Sequence, residues 1–306
     1  MKVEKLKGLI AAPFTPMHAD GSINPGIIKE YYELLNRNNV AGAFINGSSG
    51  EGTAQTQAEK KAIAEAWADA AKDNKEFKIM TLVGGTSIGD AIELAKHAEE
   101  IGLYGVAMTA PYYFKSPSAE KLAETLIEVA NAVPNMPFYY YHIPVLNGNF
   151  INMIDLLKAI DGKADNFVGI KYTHEDFMDF SSCLNFKGGK YDMLWARDEN
   201  ILPALALGSQ GAVGSTYNYA APLYNDLIAA FEKGDLKTAR QLQQKSIDMI
   251  QLLGKYGGIA TGKAYMKLVN IDCGEFRLPV FNMNAEQFKA FEKDVAALGF
   301  DQFKSK

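Results

Sequence analysis

The sequence predicts an α/β protein: a (β/α)8 TIM barrel followed by a C-terminal helical extension. Short apolar runs alternate with longer amphipathic stretches along most of the chain. Eight such runs, evenly spaced over roughly 220 residues, favour a sheet closed on itself over an open, doubly wound one. After Gly214 the runs cease, and helical patterns follow one another without a strand between them.

The first run is Gly8-Leu-Ile-Ala-Ala12 and the second Ala41-Gly-Ala-Phe-Ile-Asn46. Lys78-Ile-Met-Thr-Leu-Val83, Gly105-Val-Ala-Met-Thr-Ala110 and Phe138-Tyr-Tyr-Tyr-His142 come next. Residues 167–172, Asp192-Met-Leu-Trp-Ala196 and Gly211-Ala-Val-Gly214 complete the set. Residues 57–72, 88–101 and 119–133 repeat their apolar positions every three or four residues, which predicts helices. In 88–101, Ala91, Leu94, Ala95 and Ala98 share one face, with Asp90, Glu93, Glu99 and Glu100 outside it. Helical patterns then cover 222–233, 236–256, 262–269 and 285–298, punctuated by Gly234-Asp235 and Tyr256-Gly-Gly258. The expected division is a barrel domain over residues 1–235 and an extension over 236–306 packed on it.

The 306 residues are 48% hydrophobic and 22% charged, an ordinary globular composition. Net charge is -5 and no polybasic run occurs, so neither nucleic acid nor an anionic membrane is an expected partner. Met1-Lys-Val-Glu-Lys-Leu-Lys-Gly8 has no apolar core of signal-peptide length, and no later run approaches the ~20 residues that span a bilayer. A cytoplasmic location is expected. Cys183 and Cys273 belong to no CxxC pair, which suits a reducing compartment and argues against structural zinc. His18, His97, His142 and His174 lie far apart without ligand spacing, so no metal is expected.

Within a barrel of this kind, chemistry sits where strands end and the following loops begin. The sixth run places Lys171 after Phe167, Val168 and Ile170. An ammonium in such surroundings is poorly solvated, so its pKa should fall, and a neutral amine can attack a ketone to form a Schiff base. A lysine whose stem packs on the strand while its head reaches water fits the same residues. After the second run, Asn46-Gly-Ser-Ser-Gly-Glu-Gly52 sets two hydroxyls between glycines. Such a loop can cradle a phosphate or a carboxylate, or simply turn the chain into the next helix. It lacks the Gly-Lys-Ser/Thr of a nucleotide loop, and Glu51 reads as structural. In the fifth run Tyr139 and Tyr141 should point one way and Tyr140 the other. Tyr141 is either core or, because strands five and six are neighbours, a phenol beside Lys171. Asp198 and Glu199 either cap the helix after the seventh run or line the rim of the site. Pro111-Tyr-Tyr-Phe114 and Gly214-Ser-Thr-Tyr-Asn218 occupy that rim as well.

Taken together, Gly47-Ser-Ser-Gly-Glu51, Tyr141-His-Ile-Pro144, Gly169-Ile-Lys-Tyr-Thr173, Asp198-Glu199 and Gly214-Ser-Thr-Tyr-Asn218 are specific in order and spacing. They resemble the sialic acid aldolase branch of the dihydrodipicolinate synthase family, and the similarity runs from Leu9 through Arg277-Leu-Pro279. The resemblance implies a class I aldolase on a (β/α)8 barrel that cleaves N-acetylneuraminate to N-acetylmannosamine and pyruvate. It also implies a homotetramer with no metal and no cofactor. By the same resemblance Lys171 forms the Schiff base, and Tyr141 moves the proton, relayed through Ser49 and the substrate carboxylate. Ser48 and Ser49 hold the pyruvate carboxylate, and Tyr113 takes the place of a tyrosine reached across a subunit interface. Thr173, Asp198, Glu199 and Ser215 match positions that bind the sugar chain.

Ala196 departs from the family's glycine two residues before the Asp-Glu pair, and its methyl is expected to crowd the substrate chain. Leu146 stands where the synthase branch carries an arginine for its acceptor's carboxylate, which argues against that branch. A 2-keto-3-deoxy sugar acid aldolase shares the polyol and stays open. So does a catalytically silent 2-oxo acid-binding regulator, since a fold does not fix a function.

Overall fold

Eight parallel strands close a barrel in chain order, each paired with its successor and β8 with β1. The structure is a computed structural model and describes residues 4–306. The strands are β1 (Gly8–Ala11), β2 (Gly42–Ile45), β3 (Lys78–Leu82), β4 (Gly105–Thr109), β5 (Phe138–His142), β6 (Phe167–Tyr172), β7 (Asp192–Trp195) and β8 (Gly211–Gly214). All eight runs expected from the sequence are strands. Crossover helices α1 (Ile28–Arg37), α2 (Gln57–Ala70), α3 (Ile88–Glu100) and α4 (Ala119–Asn131) follow the first four strands. A short α5 (Pro144–Asn147) and α6 (Met153–Ile160) follow β5; α7 (Phe177–Asn185), α8 (Ile201–Leu207) and α9 (Tyr217–Glu232) follow the rest.

Local chemistry starts the helices where it should. Thr56 and Glu59 form a reciprocal capping box on α2, and Ser87 and Ser118 accept from the first turns of α3 and α4. Ala91, Leu94, Ala95 and Ala98 of α3 are all buried, as the periodicity requires. The final barrel helix was expected to start at Pro222; it starts at Tyr217 and breaks at Ala220, where the backbone is not helical. Proline lacks an N–H and crowds the turn before it, so the break falls just upstream of the ring.

Side chains of alternating parity divide the apolar interior into two cores. The outer one fills the space between sheet and helices. The inner one fills the barrel with Ile10, Phe44, Met80, Tyr139, Tyr141, Leu194, Ala196 and Val213 among others. Tyr140 belongs to the outer core, so the tyrosine parity holds. One irregularity matters: the β5–β6 register shifts between Phe138, opposite Phe167, and Tyr139, opposite Gly169. The extra residue is Val168, a bulge that sets Lys171 level with Tyr141. Gly169 is required there, because a Cβ would lie 2.0 Å from the Asp192 carbonyl oxygen.

The extension comprises α10 (Leu236–Lys255), α11 (Thr261–Leu268) and α12 (Ala285–Ala297). An aromatic seam fastens it to α9: Tyr219 stacks on Tyr265 at 4.5 Å, and Tyr265 meets Phe291 edge-on at 4.8 Å. Among the described residues no helix is long and apolar enough to cross a membrane.

Candidate active site

Lys171 points into the barrel near its C-terminal mouth and is 4% exposed. Its Nζ lies 3.9 Å from the centroid of the Phe44 ring and 3.9 Å from that of Tyr141. The two rings meet edge-on at 5.5 Å and form the walls of a slot around the amine. Among the described residues Nζ takes part in no hydrogen bond or salt bridge. Burial pushes its pKa down to about 7, with the Asp198 carboxylate pulling the other way. The snorkelling alternative therefore fails, since the head is enclosed by aromatic faces.

The Tyr141 phenol lies 3.4 Å from the Ser48 hydroxyl. Burial raises its pKa, opposed by the Ser48 and Thr173 side chains. A buried phenol is thus a stable proton carrier beside an amine that sheds its proton readily. Thr173 continues the ladder by donating its N–H to the His142 carbonyl at 2.8 Å, while its hydroxyl is buried without a hydrogen-bond partner among the described residues.

Ser48 and Ser49 sit on a tight turn after β2. Asn46 and Glu51, at its two ends, both adopt left-handed backbone, with φ of 56°. The Glu51 N–H closes on the Ser48 carbonyl at 3.1 Å and the Gly52 N–H on the Gly47 carbonyl at 3.0 Å. The Ser48 and Ser49 N–H groups donate to nothing among the described residues. Such free donors beside two hydroxyls suit an anion. The hydroxyl that reaches the phenol is Ser48's; Ser49 makes no hydrogen bond to Tyr141.

After β7, the strand paired with that of Lys171, Asp198 and Glu199 lie in a short 3-10 turn before α8, and neither makes a side-chain cap. Asp198 is buried; its Oδ2 accepts from the Thr216 N–H at 3.0 Å and hydroxyl at 2.6 Å, while Oδ1 has no partner among the described residues. Burial raises its pKa to about 6 against those bonds. Oδ1 presses on Gly214, where a Cβ would come within 1.8 Å. Glu199 pairs with Arg197 at 2.7 Å, and the same guanidinium nitrogen meets Glu175 at 2.6 Å. Ala196 belongs to the inner core, and Ser215 is half-buried with its carbonyl accepting from Asn218. Tyr113 stands apart: 76% exposed on the β4–α4 segment, its ring rests edge-on against Phe114.

A family model described as the dihydrodipicolinate synthetase family matches residues 5–298. The chain belongs to the dihydrodipicolinate synthetase family. Relatives within it include the N-acetylneuraminate lyase of Rattus norvegicus, 39% identical over 304 residues, covering 98% of this chain and 95% of that protein. The Homo sapiens protein of the same name is 38% identical over 306 residues, with the same coverage. Among solved structures, the Proteus mirabilis N-acetylneuraminate lyase superposes with a TM-score of 0.94 at 39% identity, covering 97% of this chain and 100% of that one. The Aliivibrio salmonicida lyase, also a sialic acid aldolase by its description, gives 0.94 at 36% identity, covering 97% and 98%.

In this family member the structure gathers Lys171, Tyr141 and Ser48 directly, with Thr173, Ala196 and Asp198 around them. Sequence reasoning missed Phe44, the second wall of the slot, although its place near the end of an inward-alternating run marked it as a candidate. It also missed the Arg197–Glu175 bridge and the Thr216 clamp on Asp198. Glu51 is structural as expected: it is buried against Lys263, 2.7 Å away.

Proposed function

We propose that this chain is a class I aldolase that cleaves N-acetylneuraminate to N-acetylmannosamine and pyruvate through a Schiff base on Lys171. The observation that carries this is the enclosed amine, walled by Phe44 and Tyr141, with a pKa of about 7. The names of relatives near 38–39% identity over almost the whole chain supply the substrate.

Lys171 adds to the C2 ketone of the open-chain sugar, giving a carbinolamine. Tyr141, a protonated phenol because it is buried, gives its proton to the departing hydroxyl, and water leaves. The iminium cation now stabilises the phenolate beside it. That phenolate takes the proton of the C4 hydroxyl as the C3–C4 bond breaks, and the electron pair flows into the iminium. N-acetylmannosamine departs; the phenol then protonates C3 of the enamine, and water hydrolyses the iminium to pyruvate. Ser48, Ser49 and their N–H groups hold the carboxylate and so aim the ketone at the amine. Proton relay runs through Ser48 as the nearer hydroxyl, with Ser49 completing the cradle. Thr173, Asp198, Glu199 and Ser215 face the sugar chain. No metal or cofactor takes part.

The proposal extends to assembly. Tyr113, Phe114, Val145, Leu146, Phe150 and Met178 expose large apolar surfaces on neighbouring barrel-mouth segments. A homotetramer in which Tyr113 enters a neighbouring copy's site would cover them. Free, buried Cys183 and Cys273 suit a reducing cytoplasm.

Pyruvate release from N-acetylneuraminate, compared with release from 2-keto-3-deoxygluconate, tests the reading. A higher kcat/KM for N-acetylneuraminate is expected. Preference for the deoxygluconate would reassign the substrate, and release from neither would remove the aldolase reading.

A further inference from the structure

The chemistry above leaves one buried ion pair unused. Lys263 Nζ on α11 lies 2.7 Å from Glu51 Oε1, with the two side chains 2% and 4% exposed. The same ammonium donates to the Glu275 carbonyl at 2.9 Å, and the Arg277 N–H donates to Glu51 Oε2 at 2.8 Å. Both oxygens of Glu51 are therefore held by the extension. Gly262 permits this approach, since a Cβ there would stand 2.1 Å from the Phe14 ring. The Arg277 guanidinium grips further along the same segment, reaching the Ala54 carbonyl at 2.8 Å and the Glu59 carboxylate.

A buried ion pair adds little net stability, because desolvation offsets the attraction, whereas breaking one side of it is costly. What this pair supplies is placement. Glu51 takes left-handed backbone, and the hydrogen bonds that close the serine turn start at its own N–H and that of Gly52. Wherever Glu51 sits, Ser48 follows, and with it the hydroxyl facing Tyr141.

We propose that Lys263, through Glu51, positions the Ser48–Ser49 turn for the carboxylate of a 2-oxo acid, which makes the helical extension a working part of the site. This rests on the Schiff-base reading. Both residues are positioning residues that never touch substrate.

Borohydride trapping at Lys171 separates this from general support of the fold. The probes are pyruvate and hydroxyacetone, which offers a ketone without a carboxylate. For Lys263→Met the half-saturating pyruvate concentration should rise about ten-fold, the loss of one charge-assisted hydrogen bond. The value for hydroxyacetone should stay within about two-fold, well under one such bond. Glu51→Gln keeps the shape while removing the charge; it should shift the pyruvate-to-hydroxyacetone ratio the same way if Lys263→Met does not fold. Equal weakening for both ketones, or no change for either, overturns the positioning role. Failure of the wild type to trap pyruvate at all overturns the Schiff-base reading, and this inference with it.

Discussion

Lys171 and Tyr141 stand level on adjacent barrel strands, whereas Arg197, Glu175 and Glu199 stand on the segments that leave β6 and β7. The first region is walled by aromatic rings and nearly closed to water. The second is a chain of partly exposed ion pairs, with side chains 27–57% exposed. Strands fixed by a closed ladder hold a reacting group to a fraction of an ångström, which bond-making needs. Loops held by ion pairs in water cost less to rearrange, which suits recognition of a varied sugar chain. On the proposed mechanism, the chemistry of the ketone belongs to the sheet and the choice of acceptor to the rim.

The comparison breaks most sharply at Lys171. Lys171→Arg should lower kcat by ~10³-fold or more and abolish borohydride labelling, because a guanidinium stays protonated. Retained labelling elsewhere on a peptide map would move the chemistry off the strand. Tyr141→Phe should lower kcat by ~10²-fold and slow pyruvate trapping, since the phenol also helps expel water from the carbinolamine, while the label still falls on Lys171. A near-normal kcat would return Tyr141 to a packing role.

Acidity gives a second handle on the strand side. With Lys171 near 7, the rate of imine trapping should climb as pH passes about 7 and then level off. Asp198→Asn removes the anion that holds the ammonium up, so that midpoint should move to lower pH. The sign for stability follows from the same shift. Between about 7 and the ordinary 10.5, the unfolded chain binds the proton and the folded chain does not. This residue's contribution therefore makes the protein more stable as pH rises through that window. A midpoint unmoved in Asp198→Asn would show the carboxylate to be electrostatically separate from the amine.

Much of the strand region was legible because period and parity are local. The eight runs, the inward tyrosines and a lysine ending an apolar strand are visible in short windows. What was illegible depends on distance along the chain. Glu51 and Lys263 are 212 residues apart, and Asp198 and Thr216 are 18 apart on different strand ends. Nothing in the sequence marks Arg197, which stands between Ala196 and Asp198. Only the fold shows its side chain crossing to Glu175 and so holding Glu199. The Val168 bulge was hidden too, since nothing in its composition separates it from an ordinary inward residue.

On the rim, Glu199→Gln should raise KM for N-acetylneuraminate and spare trapping at Lys171. Loss of one charged hydrogen bond costs ~1.5–3 kcal/mol, about one to two decades in kcat/KM. Arg197→Gln should give a similar but smaller rise, because it frees Glu199 without removing it. Equal slowing of substrates with and without a glycerol tail would mean that the rim does not read the tail.

Ala196 tests where the boundary between the two regions runs. Its side chain belongs to the inner core, yet it opens the segment that carries Arg197, Asp198 and Glu199. Its N–H donates to the Tyr172 carbonyl at 2.9 Å, a bond that glycine would keep. Ala196→Gly therefore removes a single methyl, with a stability cost of ~0.5–1 kcal/mol from added backbone freedom. If the methyl crowds the sugar chain, kcat/KM for long-tailed substrates should improve by about five-fold, the worth of roughly 1 kcal/mol in a pocket. Pyruvate trapping should not change. Kinetics of wild type and variant on tailed and tailless substrates, with a melting curve for each, decide between the two roles. A lowered melting temperature with unchanged tail preference would assign Ala196 wholly to the core, and the rim would then begin at Arg197.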